Sequence, residues 1–395
     1  MNFDSYIAKN RRHHNSLKWT TYPEDVIPLW VADMDFIAAE PIRQAIQDCV
    51  QHGVFGYAHM SNELQQTIAK RLKYLFNWDI DPEHIVDVPG AHHATNIAAE
   101  TFCQPGHGFL IHTPAYPPFL SKTPKNGGLI CQTAPLKPIK SGNTITYQLD
   151  WDTMKDAVHK NGIRTEMFLL CSPHNPTGHI FSQQDLQDMA EFCRQEKILI
   201  CADEIFSELT LDGPPHIPIA SLSPEIAEQT ISIFSASKTY NLPGLYTSFV
   251  IIPNPTIRQK FVETVSKRSI HTNSIGLATA MAAYSGACDP WKTQMLSYIK
   301  SNRDLLMTYV QEQMPEIQTT CPHATYLAWM NVKYFIDNGK IKGRPADFFL
   351  HNARIAVSDG LDFGCTTPGF IRLNMGCDQN NLKEALQRMK KALYG

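Results

Sequence analysis

Residues 167–204 read MFLLCSPHNPTGHIFSQQDLQDMAEFCRQEKILICADE, and the texture of this stretch decides the fold. Met167–Ser172 and Ile198–Ala202 are apolar throughout instead of alternating, the pattern of strands covered on both faces. Between them Leu186, Met189, Ala190 and Cys193 fall on one helical face. Ser182 followed by Asp185 reads as a capping box opening a helix that runs to Glu196. A strand, a helix and a second doubly covered strand predict a mainly parallel sheet packed between helices.

Working outward, the same apolar texture recurs at Ile85–Val88, Phe109–His112, Leu129–Thr133, Thr230–Phe234 and Thr247–Ile252. With the first two, these make seven candidate strands for one central sheet. After Ile252 helical patterning dominates from Thr256 to Met314, and a mixed segment then leads to a final helix over Asn381–Leu393. Lys333–Arg344, with Gly339 and Gly343, is expected to be an exposed loop. The chain is therefore expected to be α/β, with an N-terminal arm over residues 1–45, a large domain over 46–288 and a smaller α/β domain over 289–395. The arm has no core of its own and is expected to pack on the smaller domain.

At 395 residues the chain is too long for one ordinary core. Charged residues make up only 18%, below the usual quarter, which predicts that a partner subunit covers part of the surface in a homodimer. A formal net charge of -3 lacks the basic excess that nucleic-acid phosphates require, so nucleic acid is not expected as a ligand. No apolar stretch follows Arg11–His14, so neither a leader nor a membrane span is expected and the cytoplasm is the expected compartment. The ten cysteines form no CxxC pair, and Cys131, Cys171 and Cys201 lie in apolar runs, as reduced core thiols do. Adjacent His92 and His93 come without clustered carboxylates or thiolates, and no metal is expected.

In an open α/β sheet, ligands bind at the carboxyl ends of the strands. Four such ends are rich in polar groups: Pro89-Gly90-Ala91-His92, Ser172-Pro-His-Asn-Pro-Thr-Gly178, Ala202-Asp203-Glu204 and Ser235-Ala-Ser-Lys238. Lys238 directly after an apolar strand is costly as a free cation. A Schiff base with an aldehyde cofactor gives it a partner and a use, first as anchor and then as the base that moves the α-proton. Asp203 can pair with a pyridinium nitrogen, although a helix cap is its ordinary structural role. Gly90, Ala91 and His92 open a helix whose amides, with the Ser235 and Ser237 hydroxyls, suit a phosphate. Arg372 can grip both oxygens of a substrate carboxylate, with an interdomain ion pair as its bland alternative. Asn175 can donate to a ring oxygen or merely close an Asx turn.

Six blocks extend this set across nearly the whole chain: Trp30-Val-Ala-Asp-Met-Asp-Phe36, Phe55-Gly-Tyr57, Thr113-Pro-Ala-Tyr-Pro-Pro-Phe119, His174-Asn-Pro-Thr-Gly178, Ser235-Ala-Ser-Lys-Thr239 and Phe370-Ile-Arg-Leu-Asn374. Together they resemble the fold-type I pyridoxal 5'-phosphate (PLP) enzymes of the class I/II aminotransferase family, and more narrowly the MalY/PatB branch of cystathionine β-lyases. The resemblance implies the PLP-transferase fold and PLP as cofactor. It implies that Tyr116 stacks on the cofactor ring, that Tyr57 reaches the phosphate of the neighbouring subunit, and that Ala32 and Asp33 lie across the substrate. The family carries His or Tyr three residues after the aspartate, where it helps bind the ring oxygen; here Phe206 stands there, and that donor is lost. The implied reaction is α,β-elimination from a β-thio amino acid, giving pyruvate, ammonia and a thiol. Transamination, a dehydration or cyclisation, and a non-catalytic binding or regulatory protein are the alternatives.

Overall fold

A computed structural model describes residues 3–9, 11–121, 128–159 and 162–395. Seven strands form the central sheet in the order Ile85–Val88, Ser248–Ile251, Thr230–Phe234, Leu199–Asp203, Thr165–Cys171, Gly108–Thr113 and Ile130–Pro135. All neighbours are parallel except around Ser248–Ile251, which runs antiparallel to both of its partners. Each strand coincides with an apolar run of the sequence to within two residues.

The double cover is visible in the packing. Leu110, Phe168, Leu170, Ile200 and Ala202 join one hydrophobic cluster, whereas Phe109, Ile111, Met167, Leu169, Cys201 and Ile231 join another. Successive residues of a strand point to opposite faces, so both faces of these strands are buried. The helix Gln183–Glu196 starts at the expected capping box, with Ser182 accepting from the Asp185 amide and Asp185 returning to the Ser182 amide. The helix Ala91–Phe102 buries Ala94, Ile97, Ala98 and Ala99.

A second sheet has six strands, four of them from the C-terminal part, ordered Ser358–Asp359, Phe370–Asn374, Leu327–Asn331, Gln318–Thr320, Thr144–Gln148 and Lys137–Ser141. Its last two strands form a hairpin contributed from between strands of the central sheet. Leu306, Val310, Met330, Ile371, Leu373, Leu386 and Met389 fill the core behind this sheet. The expectation of an exposed loop over Lys333–Arg344 is corrected: Lys333–Asp337 is a short helix, and Phe335 and Ile341 are buried in that core. Gly339 and Gly343 do take left-handed turns there, at φ +80° and +77°, but two apolar side chains were enough to pin the segment down.

The N-terminal residues pack against distant parts of the chain. Ile27–Pro28 pairs in parallel with Ile355–Ala356, and Phe3 packs on Phe36, Trp291 and Tyr298 with ring centroids 5.0–5.8 Å apart. No described helix is long and apolar enough to cross a membrane, and all ten cysteines are free thiols.

Candidate active site

Because the central strands are parallel, their carboxyl ends meet along one edge of the sheet. Cys171 lies opposite Asp203, and Asp203 opposite Ile233, which brings the Asn175 turn, Asp203 and Lys238 together from three separate stretches of chain. The reversed strand Ser248–Ile251 places its own start on this edge. Ser235 exploits that: its hydroxyl donates to the Thr247 carbonyl at 2.7 Å and accepts from the Ser237 amide at 3.1 Å, capping the turn that carries Lys238. With the single Ser235 proton so committed, Ser237, 2.8 Å away, is the hydroxyl of the pair that can rotate toward a phosphate oxygen.

Lys238 Nζ donates to the Ala32 carbonyl at 2.8 Å and lies 5.9 Å from the centroid of the Phe206 ring. Burial, aided by the positive charge of Arg372, pushes its pKa down to about 8, while Asp33 and Asp203 pull it back up. An amine held at such a value has a substantial neutral fraction near neutral pH, as an imine-forming lysine and a proton acceptor both require. Phe206 is buried and meets the Tyr326 ring edge-on at 5.9 Å. It offers no donor beside the amine.

Arg372 sits inside the C-terminal sheet, between Trp329 and Ser358 in register, and is 5% exposed. The interdomain ion pair does not form: among the described residues its partners are neutral. Nη1 donates to Asn175 Oδ1 at 3.0 Å, and Nη2 to the Trp30 carbonyl at 2.8 Å and the Ser358 hydroxyl at 3.4 Å. Its guanidinium carbon stands 4.9 Å from the Phe363 ring centroid, and Nε has no hydrogen-bond partner among the described residues. Burial lowers its pKa to about 10, still cationic at neutral pH. A buried cation without a counter-ion is costly, and a carboxylate is the group whose charge and two oxygens would complement it.

Asn175 is oriented by that contact. With Oδ1 occupied by Arg372, its amide nitrogen faces the other way, as the expected donation to a ring oxygen requires. Asp203 is 6% exposed and accepts from the Ile205 amide at 3.3 Å. Tyr116 precedes the short helix Pro117–Leu120 and packs edge-on against Phe119. Burial raises its pKa, and Arg372, Asp203 and Tyr246 all act on it electrostatically, which places it within the same cluster.

At the other end of the cluster, Gly90 takes φ +98° and precedes the twelve-residue helix Ala91–Phe102, whose start has no side-chain cap. These amides can receive an anion. His93 Nδ1 turns back to the Pro89 carbonyl at 2.7 Å, and His92 Nε2 lies 3.3 Å from Asn96 Nδ2. Tyr57 is fully exposed and meets the His271 ring at 6.3 Å between centroids. Of the arm residues, Ala32 reaches the site through its carbonyl, whereas the Asp33 carboxylate is engaged by Arg11 and Lys18.

The residues present fit PLP by the chemistry of their donors: an amine, a carboxylate, an oriented amide, a hydroxyl, and a helix start whose cap residue, Gly90, has no side chain. Tyr326, Ser358 and Phe363, which surround Lys238 and Arg372, carried no sequence signal, because each lies in a run that reads only as C-terminal core.

The sequence profile of the aminotransferase class I and II family matches residues 24–389. The chain is 31% identical to the cystathionine beta-lyase PatB of Bacillus subtilis (strain 168), over all of both chains. Among solved structures it is similar to OvoB, with 36% identity, a TM-score of 0.91 and all of both chains covered. It is likewise similar to cystalysin from Treponema denticola, which contains a pyridoxal 5'-phosphate cofactor, with 27% identity, a TM-score of 0.91, and 100% and 99% of the two chains covered. A match of this extent, on a mostly parallel sheet with the polar strand ends gathered along one edge, makes the chain a member of the aminotransferase class I and II family.

Proposed function

We propose that this protein is a PLP-dependent carbon–sulfur β-lyase that cleaves a cystathionine-like amino acid to pyruvate, ammonia and a thiol. The observation that carries the reading is the pairing of a buried amine with a lowered pKa, Lys238, with a buried guanidinium, Arg372, whose partners among the described residues are neutral. The neutral form of the amine suits an aldehyde cofactor and the α-proton; the guanidinium cation suits the α-carboxylate. The names of the relatives, cystathionine beta-lyase foremost, support elimination over transfer.

When bound, PLP supplies an electron sink that makes the α-proton of the amino acid acidic. Lys238 would anchor the cofactor and, as a free neutral amine, would take that proton at Nζ. Arg372 grips the carboxylate in its planar fork and so fixes which α-bond faces Lys238. Asp203 would keep a proton on the ring nitrogen, and Asn175 would donate to the ring oxygen. Gly90, Ala91, His92 and Ser237 would hold the phosphate, with Ser235 bracing the turn, and Tyr116 would cover the ring. The proton held by Lys238 Nζ would pass to the departing thiolate, and the overall reaction consumes one water to give the thiol, pyruvate and ammonia.

The same reading makes the protein a homodimer. Val54, Phe55 and Tyr57 are 68%, 58% and 101% exposed in succession, an apolar run that a second copy would cover, with Tyr57 reaching the neighbouring phosphate site. It keeps the division into an arm over 1–45 and domains over 46–288 and 289–395, and the cytoplasm as compartment.

Borohydride reduction of the yellow holoenzyme followed by peptide mass analysis should find the cofactor mass on Lys238. Incubation with cystathionine should release pyruvate without added keto acid. A strict requirement for keto acid would make the enzyme a transaminase and overturn the reading.

A further inference from the structure

The arm passes between Lys238 and Arg372, and its backbone carbonyls divide by alternate residues. Those of Trp30, Ala32, Met34 and Phe36 accept from Arg372 Nη2 (2.8 Å), Lys238 Nζ (2.8 Å), Asn241 Nδ2 (2.8 Å) and Asn241 Nδ2 (2.8 Å). Those of Val31 and Asp33 both accept from Asn374 Nδ2, at 2.6 Å each. Asn241 Oδ1 also accepts from the Met34 amide at 2.9 Å, and Asn374 Oδ1 from the Gly376 amide at 2.7 Å. Every hydrogen-bonding atom of each primary amide that faces the arm is therefore spent on fixing backbone.

The placement of the two asparagines follows a pattern. Asn241 comes three residues after Lys238, and Asn374 two residues after Arg372. Each amide shares a short stretch of backbone with one of the two cations. We infer that Asn241 and Asn374 are positioning residues that clamp the arm in one register. The Ala32 carbonyl is thereby set against the amine, and the Trp30 carbonyl against the guanidinium. A slip of one residue would exchange the two sets of carbonyls and leave both cations facing the wrong groups. The clamp links the large-sheet turn to the C-terminal sheet through the arm, and so sets the span between the two groups that grip an amino acid. Only that last step rests on the proposed function.

Asn241 has φ +58°, a conformation that asparagine and glycine both tolerate, so the turn and the clamp can be separated. Asn241→Gly keeps the turn and removes the amide. Asn241→Asp keeps the acceptor for Met34 but removes both donations. In hydrogen–deuterium exchange of the holoenzyme, the peptide spanning residues 29–36 should exchange at least about tenfold faster in both variants. The strand Leu199–Asp203 should stay as in wild type. With cystathionine, KM should rise about tenfold and kcat change less, with the visible cofactor band unaltered. Arm exchange at the wild-type rate in Asn241→Gly overturns the clamp. So does a uniform rise that includes Leu199–Asp203, which would make Asn241 a residue of the fold at large. The exchange experiment needs no turnover, so it decides the clamp even where cystathionine proves not to be a substrate.

Discussion

Replacing Arg372 by lysine keeps the charge and removes the fork. In the structure one guanidinium serves the Trp30 carbonyl at 2.8 Å and Asn175 Oδ1 at 3.0 Å with separate nitrogens, while Nε has no partner among the described residues. A single ammonium cannot reach the carbonyl and the amide and also offer two parallel donors to a carboxylate. Hydrogen bonds to charged groups contribute about 1.5–3 kcal/mol each, so losing two costs at least about 3 kcal/mol. At about 1.4 kcal/mol per factor of ten, kcat/KM should fall by roughly two orders of magnitude. Released from Nη1, the Asn175 amide also loses the contact that orients it, so the loss should appear in kcat as well as in KM. The assay is pyruvate release from cystathionine, coupled to NADH oxidation, at matched cofactor occupancy. A kcat/KM within about threefold of wild type, with the visible band unchanged, would refute the assignment of the carboxylate to Arg372.

Lys238, with a pKa of about 8 against the ordinary 10.5, binds fewer protons folded than unfolded between these values, so folding gains stability as pH rises through that window. In cofactor-free protein, the stability advantage of Lys238→Met over wild type should be largest below pH 8 and close toward pH 10.5; a gap independent of pH would contradict the burial of a chargeable amine. Phe206→Tyr adds a donor beside the amine and the ring oxygen. One hydrogen bond of about 1.4 kcal/mol corresponds to one pH unit, so the pH midpoint of the visible band should fall by about one unit, and an unmoved midpoint would show that residue 206 does not face that oxygen. Gly178 has φ +68°, and a Cβ there would stand 2.3 Å from Pro322 Cβ and 2.9 Å from the Ala324 carbonyl. Gly178→Ala should therefore lower the unfolding free energy by about 2–4 kcal/mol, read from the urea midpoint, and a change under about 0.5 kcal/mol would contradict the close approach.

The central sheet was legible in the chain because burial on both faces writes itself locally. A strand such as Met167–Ser172 must be apolar at every position, and a helix such as Gln183–Glu196 must repeat its apolar residues and announce its start. The polar strand ends were legible for the same reason, since Asp203 and Lys238 stand out directly after apolar runs. Lys333–Arg344 misled because its glycines and charges outnumber Phe335 and Ile341, and burial of those two depends on a core assembled from distant segments.

By itself the sequence determined the seven strands, the capping box, the lysine, the aspartate and the arginine, all of which follow from residue type and short spacing. Only the tertiary structure decided the neighbours of Lys238 and Arg372: Ala32, Tyr326 and Phe206 for the one, Trp30, Asn175, Ser358 and Phe363 for the other. These contacts join residues up to several hundred positions apart, and hydrogen bonds act over about 3 Å. Local patterning cannot specify such proximity; it arises when the sheet, the C-terminal domain and the arm bury their surfaces against one another.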